Sequence, residues 1–303
     1  MTNNSNPLVS IGVLSYNNSN YILDTLESLD KQTYDNIEII IHDDASTDNS
    51  REIINEWSKN KKNVILLFAD KNVGVCKSLN KLVKEAKGDY ISNIASDDYY
   101  EPEFVAKRVA LLSDTSKDVG VCYSWSKIIY EDGRDLCFEK RDANPSGYLF
   151  DFISSGVSAL AKPFTLMAKK EVYLNDGLFD ETLMYEDLDW FLRVSQKYKF
   201  IFFDSYDTVY RERIGTLGTK IFTTPEGIFS QLTIIKKNKG VSKIGDKNLD
   251  NRLRFLMRKS YKVSWSVLYE VVKVRAQLFP SFESKLFFLG LFPLQFLPKN
   301  NKK

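Results

Sequence analysis

Apolar and polar positions alternate between two patterns over the first hundred residues. Leu8–Leu14 (LVSIGVL) lacks the every-other-residue polar positions of a half-exposed sheet, which predicts a strand buried on both faces. Tyr16-Asn17-Asn18 ends it, and Tyr21, Ile22, Thr25, Leu26 and Leu29 then recur at helical spacing. Ile37–Ile41 predicts a second strand running into His42-Asp43-Asp44, after which Ser46 or Asp48 caps a helix through Ile53, Ile54 and Trp57. Val64–Phe68 is a third strand, and Ser78–Lys87 a third helix stopped by Gly88. Tyr90–Ile94 is a fourth strand that delivers Ser96-Asp97-Asp98 at its carboxyl end. Short buried strands separated by crossover helices predict an α/β fold with a mostly parallel central sheet. Ligands of such sheets bind outside the carboxyl ends of the strands, where two acidic pairs fall.

Beyond residue 118 the pattern loosens. Val119–Ser126 reads as a strand, 131–148 as a loop or hairpin, and Phe200–Phe203 as another strand. Helical periodicity returns at Leu149–Ile153 and Leu188–Tyr198. From about residue 235 the composition changes: residues 236–303 carry sixteen Lys+Arg against four acids, a net +12, which leaves −10 for the first 235 residues. The expected division is a domain over 1–235 and a basic, partly amphipathic helical tail over 236–303. Within the tail, Leu253, Leu256 and Met257 lie among Arg252, Arg254, Arg258 and Lys259, and Leu286–Leu297 is a short apolar run broken by Pro293.

Composition narrows the class. A chain of 303 residues, 43% apolar and 27% charged, folds around a sizeable core and is neither disordered nor collagenous. Three cysteines, Cys76, Cys122 and Cys137, match no zinc or redox spacing, which suits a reducing cytoplasm where they pack as small apolar groups. A single histidine, His42, excludes a multi-histidine metal site and is expected to be a satisfied structural side chain. No stretch reaches the roughly 20 apolar residues of a membrane span, and no leader pattern opens the chain. The overall charge of +2 argues against nucleic acid as a whole-molecule partner.

Three acidic clusters carry the candidate chemistry. Asp43-Asp44-Ala-Ser46-Thr47-Asp48 sets adjacent carboxylates beside an apolar sheet, which is costly unless they meet a cation or hydrogen-bond donors such as a nucleobase N–H or a sugar hydroxyl. A helix cap in a solvated loop is the plainer reading. Asp97-Asp98 offers hard oxygen ligands for Mg²⁺ or Mn²⁺, which needs only one or two protein carboxylates when a diphosphate supplies the rest, or else a helix cap before Pro102. Glu186-Asp187-Leu-Asp189-Trp190 opens a helix in which Asp189 and Arg193 stand four apart, and a carboxylate there suits a general base as well as a cap.

In their order these segments resemble the family-2 inverting glycosyltransferases of GT-A fold. The matching residues are Leu8–Asn17, Ser28-Leu-Asp-Lys-Gln32-Thr33 and Ile39–Asp48, then Asn72-Val-Gly74 with Ser78-Leu-Asn80. Gly88-Asp89, Ser96-Asp97-Asp98, Glu103, Gly177–Glu181 and Glu186–Asp189 complete the set, which spans about 7–215. The resemblance implies a nucleotide-sugar donor, with Tyr16 stacking near uracil, Asp44 accepting from its N3–H, and Asp43 structural or near the ribose. Asn72 joins this donor set. Asp97 would face the ribose or donor sugar, Asp98 would hold the Mn²⁺ or Mg²⁺ ion, and Asp187 would be the base, with Glu186 as its nearest competitor.

Two positions depart from the family pattern. Ala95 stands where many relatives have an acid, and Tyr210-Arg211-Glu212-Arg213 has Arg213 where many have a histidine. Arginine grips phosphate oxygens bidentately, so a cationic clamp is expected, against a surface pairing with Glu212. Gly215 and Gly218 would let that segment act as a lid, and Trp125, Tyr185 and Trp190 either line an acceptor cleft or pack in the core. A non-catalytic sugar-binding relative is the alternative, and a phosphoacceptor switch domain fits less well. The tail suggests attachment to the anionic inner face of a membrane and a glycan or lipid-linked acceptor, or else packing on the catalytic domain or a second subunit.

Overall fold

The computed structural model describes residues 6–131, 136–139, 144–156, 162–213 and 217–280. The first half follows the expected alternation: β1 (Val9–Ser15), α1 (Ile22–Asp30), β2 (Ile37–Asp43), α2 (Ser50–Ser58), β3 (Val64–Phe68), α3 (Val75–Glu85) and β4 (Tyr90–Ala95). β1 and β2 are buried along almost their whole length, as strands covered by helices on both faces must be. The third helix ends earlier than expected, because the Lys87 and Gly88 N–H groups turn to Glu38 Oε1 at 2.6 and 3.2 Å. Gly88 is needed for closeness instead: a Cβ there would stand 2.6 Å from the Ser10 nitrogen.

The chain continues through β5 (Tyr99–Tyr100), α4 (Phe104–Ser113), β6 (Val119–Tyr123), β7 (Lys127–Tyr130), β8 (Cys137–Phe138), α5 (Phe150–Ser154), β9 (Met167–Lys169), α6 (Lys170–Asp176), α7 (Asp187–Val194), β10 (Lys199–Phe202) and β11 (Thr208–Glu212). Four helices follow, α8 (Leu217–Lys220), α9 (Pro225–Asn238), α10 (Lys243–Ser260) and α11 (Trp265–Leu278). The seven-stranded sheet has the order β10-β6-β9-β4-β1-β2-β3. Its strands run parallel except β9, which lies antiparallel between β4 and β6. The chain builds outward from β1 to β3 and then returns to β4 on the other side of β1, so the order reverses between β1 and β4 and opens a crevice at their carboxyl ends.

A second sheet, β5-β11-β7-β8, has no counterpart in the sequence reading beyond the hairpin option for 131–148. β5 follows Asp97-Asp98 directly and pairs antiparallel with β11, which brings the Tyr210–Arg213 segment onto the acidic turn. Arg108 anchors this sheet from α4: its guanidinium meets Asp207 at 2.9 Å, Ser124 Oγ at 2.7 Å and the Thr165 carbonyl at 2.9 Å.

The proposed boundary at 235 falls inside α9. Ile228, Leu232 and Ile235 of α9 share one apolar cluster with Leu249, Leu253 and Leu256 of α10 and Val267, Val271 and Val274 of α11. The amphipathic face expected to lie on a membrane is therefore spent inside the protein, with Leu253 and Leu256 both 0% exposed. The apolar run Leu286–Leu297 lies outside the described residues.

Removing the Arg108 guanidinium leaves Asp207 buried without its cation. Arg108→Ala is expected to destabilise the fold by about 3–5 kcal/mol, measured by denaturant unfolding.

Candidate functional site

The acidic clusters divide into one group at the end of β2 and a cavity group at the end of β4 and the start of α7. On β2, Asp43 is fully buried and fully engaged: Oδ1 accepts from Arg51 Nε at 2.6 Å and from Ser46 N at 2.9 Å, while Oδ2 accepts from Ser15 Oγ at 3.2 Å. Asp43 thus shapes the turn after the strand, where Ala45 sits at φ 65°. Asp44 reaches across to the turn before α3, accepting from Val73 N at 2.8 Å on one oxygen and Gly74 N at 2.9 Å on the other. Gly74 holds φ 89°, a left-handed conformation that suits glycine. Asn72 stands exposed beside this turn, and Tyr16, 46% exposed at the end of β1, leaves its ring face free for stacking. Asp48 precedes α2 and accepts from Ser50 N at 3.0 Å, and its second oxygen takes Ser19 N at 2.9 Å.

A cavity of about 420 Å³ opens beside β4. Asp97, Asp98, Glu186 and Asp187 line it together with Lys162 and Arg211, and its apolar wall includes Leu79, Ala95, Phe179 and Trp190. Sequence positions almost ninety residues apart thus meet in one space, because β4 and the amino end of α7 face the same crevice. Asp98 is 3% exposed. Its Oδ1 accepts the Arg211 N–H at 2.9 Å, and among the described residues no lysine or arginine side chain pairs with it. Burial, and then the adjacent Asp97, push its carboxyl well above the usual range. Asp97 is also raised by burial, but Arg213 draws it back through an ion pair of 2.9 Å.

Arg213 turns to Asp97 and Asn18 and not to Glu212. Its Nη1 donates to Asn18 Oδ1 at 2.7 Å as well as to Asp97 Oδ2, and its guanidinium lies 4.7 Å from the Tyr21 ring centroid. Arg211 stacks on the same ring at 4.7 Å and bonds the Asp97 carbonyl at 3.1 Å. Asn18 links the two groups of residues, since its Nδ2 donates to Ser96 Oγ at 2.8 Å. Of the suggested lid, Gly218 lines the cavity, whereas Gly215 lies outside the described residues.

At the third cluster the roles separate. Asp189 is 1% exposed and held by Arg193 at 2.9 Å and Lys237 at 3.2 Å, so it locks α7 in place. Asp187 accepts from Leu188 N at 2.6 Å. Its carboxyl is raised by burial and drawn back by that N–H, by Arg252 and by Lys162. Glu186 is pushed up to about 8 by burial and by Asp187 beside it. The two adjacent carboxylates thus differ in surroundings: Arg252 and Lys162 favour the charged form of Asp187, whereas burial and Asp187 itself oppose the charged form of Glu186.

Several sequence expectations need correcting. His42 is buried, but neither ring nitrogen has a partner among the described residues, and burial lowers its pKa, so it is a neutral packed ring and not a hydrogen-bonded one. Trp125 lies outside the cavity, bonded to Asp204 at 2.9 Å, while Tyr185 and Trp190 do line it. Cys76 and Cys122 are buried free thiols, but Cys137 is half-buried and meets the Tyr130 hydroxyl at 3.2 Å. Asn18, Lys162 and Arg252 were missed: a lone asparagine or lysine in a loop, or one arginine among many on a basic helix, carries no pattern. Arg211 had a signal, its place in the Tyr210–Arg213 segment.

The glycosyl transferase family 2 model matches residues 10–163. The glycosyltransferase GlyG of Streptococcus pneumoniae is 30% identical over 224 residues, covering 69% of this chain and 72% of that protein. Other curated relatives are longer, and the chain spans 62% of one and 19% of two more. Among solved structures, residues 1–349 of S. aureus TarS in complex with UDP-GlcNAc superpose with a TM-score of 0.67 at 20% identity, over 95% of this chain and 82% of that one. The mannosyltransferase PcManGT of Pyrobaculum calidifontis, in complex with GDP-Man and Mn2+, gives 0.62 at 15% identity, over 95% and 80%. With the strand order, the crevice beside β4 and the ordered acidic clusters all in agreement, the chain belongs to glycosyl transferase family 2 and is a glycosyltransferase of GT-A fold.

Proposed function

We propose that this protein transfers a sugar from a UDP-sugar to a hydroxyl of a glycan or lipid-linked glycan with inversion at the anomeric carbon, in the synthesis of a surface polysaccharide. The observation that carries this reading is the cavity in which Asp98 and Asp187 face one space from opposite elements. Tyr16 stacks on the base of the nucleotide, and the turn held by Asp44 and flanked by Asn72 borders it. Arg213 exchanges its contact with Asp97 for the phosphate oxygens, a bidentate grip that arginine suits. Asp187 takes the proton of the acceptor hydroxyl as that oxygen bonds the anomeric carbon and the bond to the diphosphate breaks, its electron pair leaving with UDP.

The residues present fit a divalent cation. Among the described residues Asp98 is a buried carboxylate without a cationic side-chain partner, and Asp97 stands beside it. Among the described residues no group of three or more histidine, cysteine or acidic side chains is gathered for a metal, which agrees with a site that draws its remaining ligands from the diphosphate. Bound there, Mn²⁺ or Mg²⁺ would neutralise charge on the departing diphosphate. Arg213 stands where the family resemblance implies a histidine, so the grip on phosphate falls to a guanidinium, which bonds phosphate oxygens bidentately.

For the acceptor we propose a membrane surface. No helix of the described residues is long and apolar enough to cross a membrane. α11 nevertheless turns Trp265 (64% exposed) and Tyr269 (48%) outward at a four-residue spacing, with Lys273 one turn further on, and Arg258 and Lys262 exposed nearby. Aromatic rings beside basic side chains suit the headgroup region of an anionic leaflet. A peripheral enzyme on the inner face of the cell membrane is the corresponding location.

Two experiments test these readings. With a panel of UDP-sugars and Mn²⁺, donor turnover is expected to fall at least about 100-fold in Asp98→Ala and in Asp187→Asn; undiminished turnover in both overturns the assignment. Flotation of the full chain with phosphatidylglycerol vesicles is expected to recover the protein, and Trp265→Ser/Lys273→Glu to lose most of that recovery. Equal recovery of both forms, or none of either, overturns membrane attachment through α11.

A further inference from the structure

The helices beyond the family-matched segment reach back into the site. Arg252 of α10 donates through Nε to Gln231 Oε1 on α9, and Gln231 Nε2 donates to the Tyr185 hydroxyl. Gln231 and Tyr185 are 1% and 3% exposed, and Arg252 is half-buried, so the chain of contacts runs inward from the edge of α10. Tyr185 immediately precedes Glu186 and Asp187 and lines the cavity with them.

Packing of α10 does not require this arginine. Leu249, Leu253 and Leu256 fill the helix interface, and the nearby Arg254 and Arg275 pair with Asp250 at 3.2 and 2.7 Å. Arg252 has no carboxylate within ion-pair distance among the described residues. Withdrawing a guanidinium from water without a direct ionic partner is costly, and such a charge is retained for what it faces.

We propose that Arg252 is a positioning residue for Asp187: through Gln231 and Tyr185 it fixes the segment that carries the base, and it presents a positive charge to the base's carboxylate. This rests on the reading of Asp187 as the base. The charged groups facing Asp187 are Glu186 on its own turn, Lys162 from the cavity wall and Arg252 from α10, with Asp97, Asp98 and Arg211 lining the same cavity. Arg252 and Lys162 both favour ionised Asp187. Burial and the charge of Asp187 oppose ionisation of Glu186. Arg252 therefore favours ionisation of one of two neighbouring carboxylates, and it ties the C-terminal helices to the chemistry.

The test uses the full chain and the UDP-sugar turned over in the donor panel, with Mn²⁺, across a pH series. Arg252→Gln removes the charge, and the base then needs a higher pH to ionise. The acid limb of the rate profile is expected to move to higher pH, with kcat near neutral pH falling about tenfold or more and the donor KM little changed. Arg252→Lys is expected to keep the acid limb near its original place. Should Arg252→Gln fail to fold, Tyr185→Phe cuts the hydroxyl link alone and is expected to lower kcat without moving the limb. Unchanged kcat and limb in Arg252→Gln, or unchanged kcat in Tyr185→Phe, overturns the proposal while loss of turnover in Asp187→Asn leaves the base assignment standing. Full turnover in Asp187→Asn overturns both.

Discussion

Everything in the site depends on holding four carboxylates, Asp97, Asp98, Glu186 and Asp187, around one apolar-walled cavity. Like charges in a partly dry space raise one another's free energy, and burial raises each further. The surrounding cations answer this only in part: Arg213 pairs with Asp97, Arg211 gives Asp98 a backbone N–H, and Lys162 and Arg252 act on Asp187 from a distance. Carboxylates used purely for structure look different. Asp43 is held by Arg51, Ser46 and Ser15, Asp207 by Arg108, and Asp189 by Arg193 and Lys237. Compensation is full at these three acids and only partial at the four that line the cavity.

The architecture exists to bring these groups together. The reversal of strand order between β1 and β4 makes the crevice, and the small sheet swings β11 onto the turn after β4. Arg108 fixes that sheet to α4 through the Asp207 pair. On the far side, α9 packs on α7, and α10 and α11 complete the apolar cluster that supports them. The C-terminal helices are thus one body with the catalytic domain over their described length, and their basic residues divide between inward use, as in Arg252 and Arg275, and an outward face.

What the sequence made legible follows from physical range. β1 to β4 are short, strongly apolar runs with local turn residues, so their positions could be read directly, and each acidic cluster falls at the end of an element that periodicity defines. The order of the clusters brought the family into view. β5 and β8 span two residues each and have no period to detect, and β9 runs against its neighbours because of a pairing nearly eighty residues distant in the chain. Arg213's true partner, Asp97, lies 116 residues away, whereas Glu212 lay beside it. Arg252 was read as one basic residue on an amphipathic face, because spacing along α10 says nothing of Gln231 and Tyr185.

The charge division at residue 235 was visible in the sequence, but its meaning changes with the fold. The acidic portion is not uniformly functional, and the basic portion does not stand apart from it. The central claim is that the cavity carboxylates are retained at a cost to stability that the structural ones do not impose. Thermal unfolding in the presence of EDTA near neutral pH measures this directly. Asp98→Asn and Asp187→Asn, which keep their hydrogen bonds while losing charge, should unfold at or above the wild-type temperature, whereas Asp43→Asn should unfold well below it. If Asp98→Asn and Asp187→Asn lower the unfolding temperature as far as Asp43→Asn does, those carboxylates serve the fold and the account is wrong.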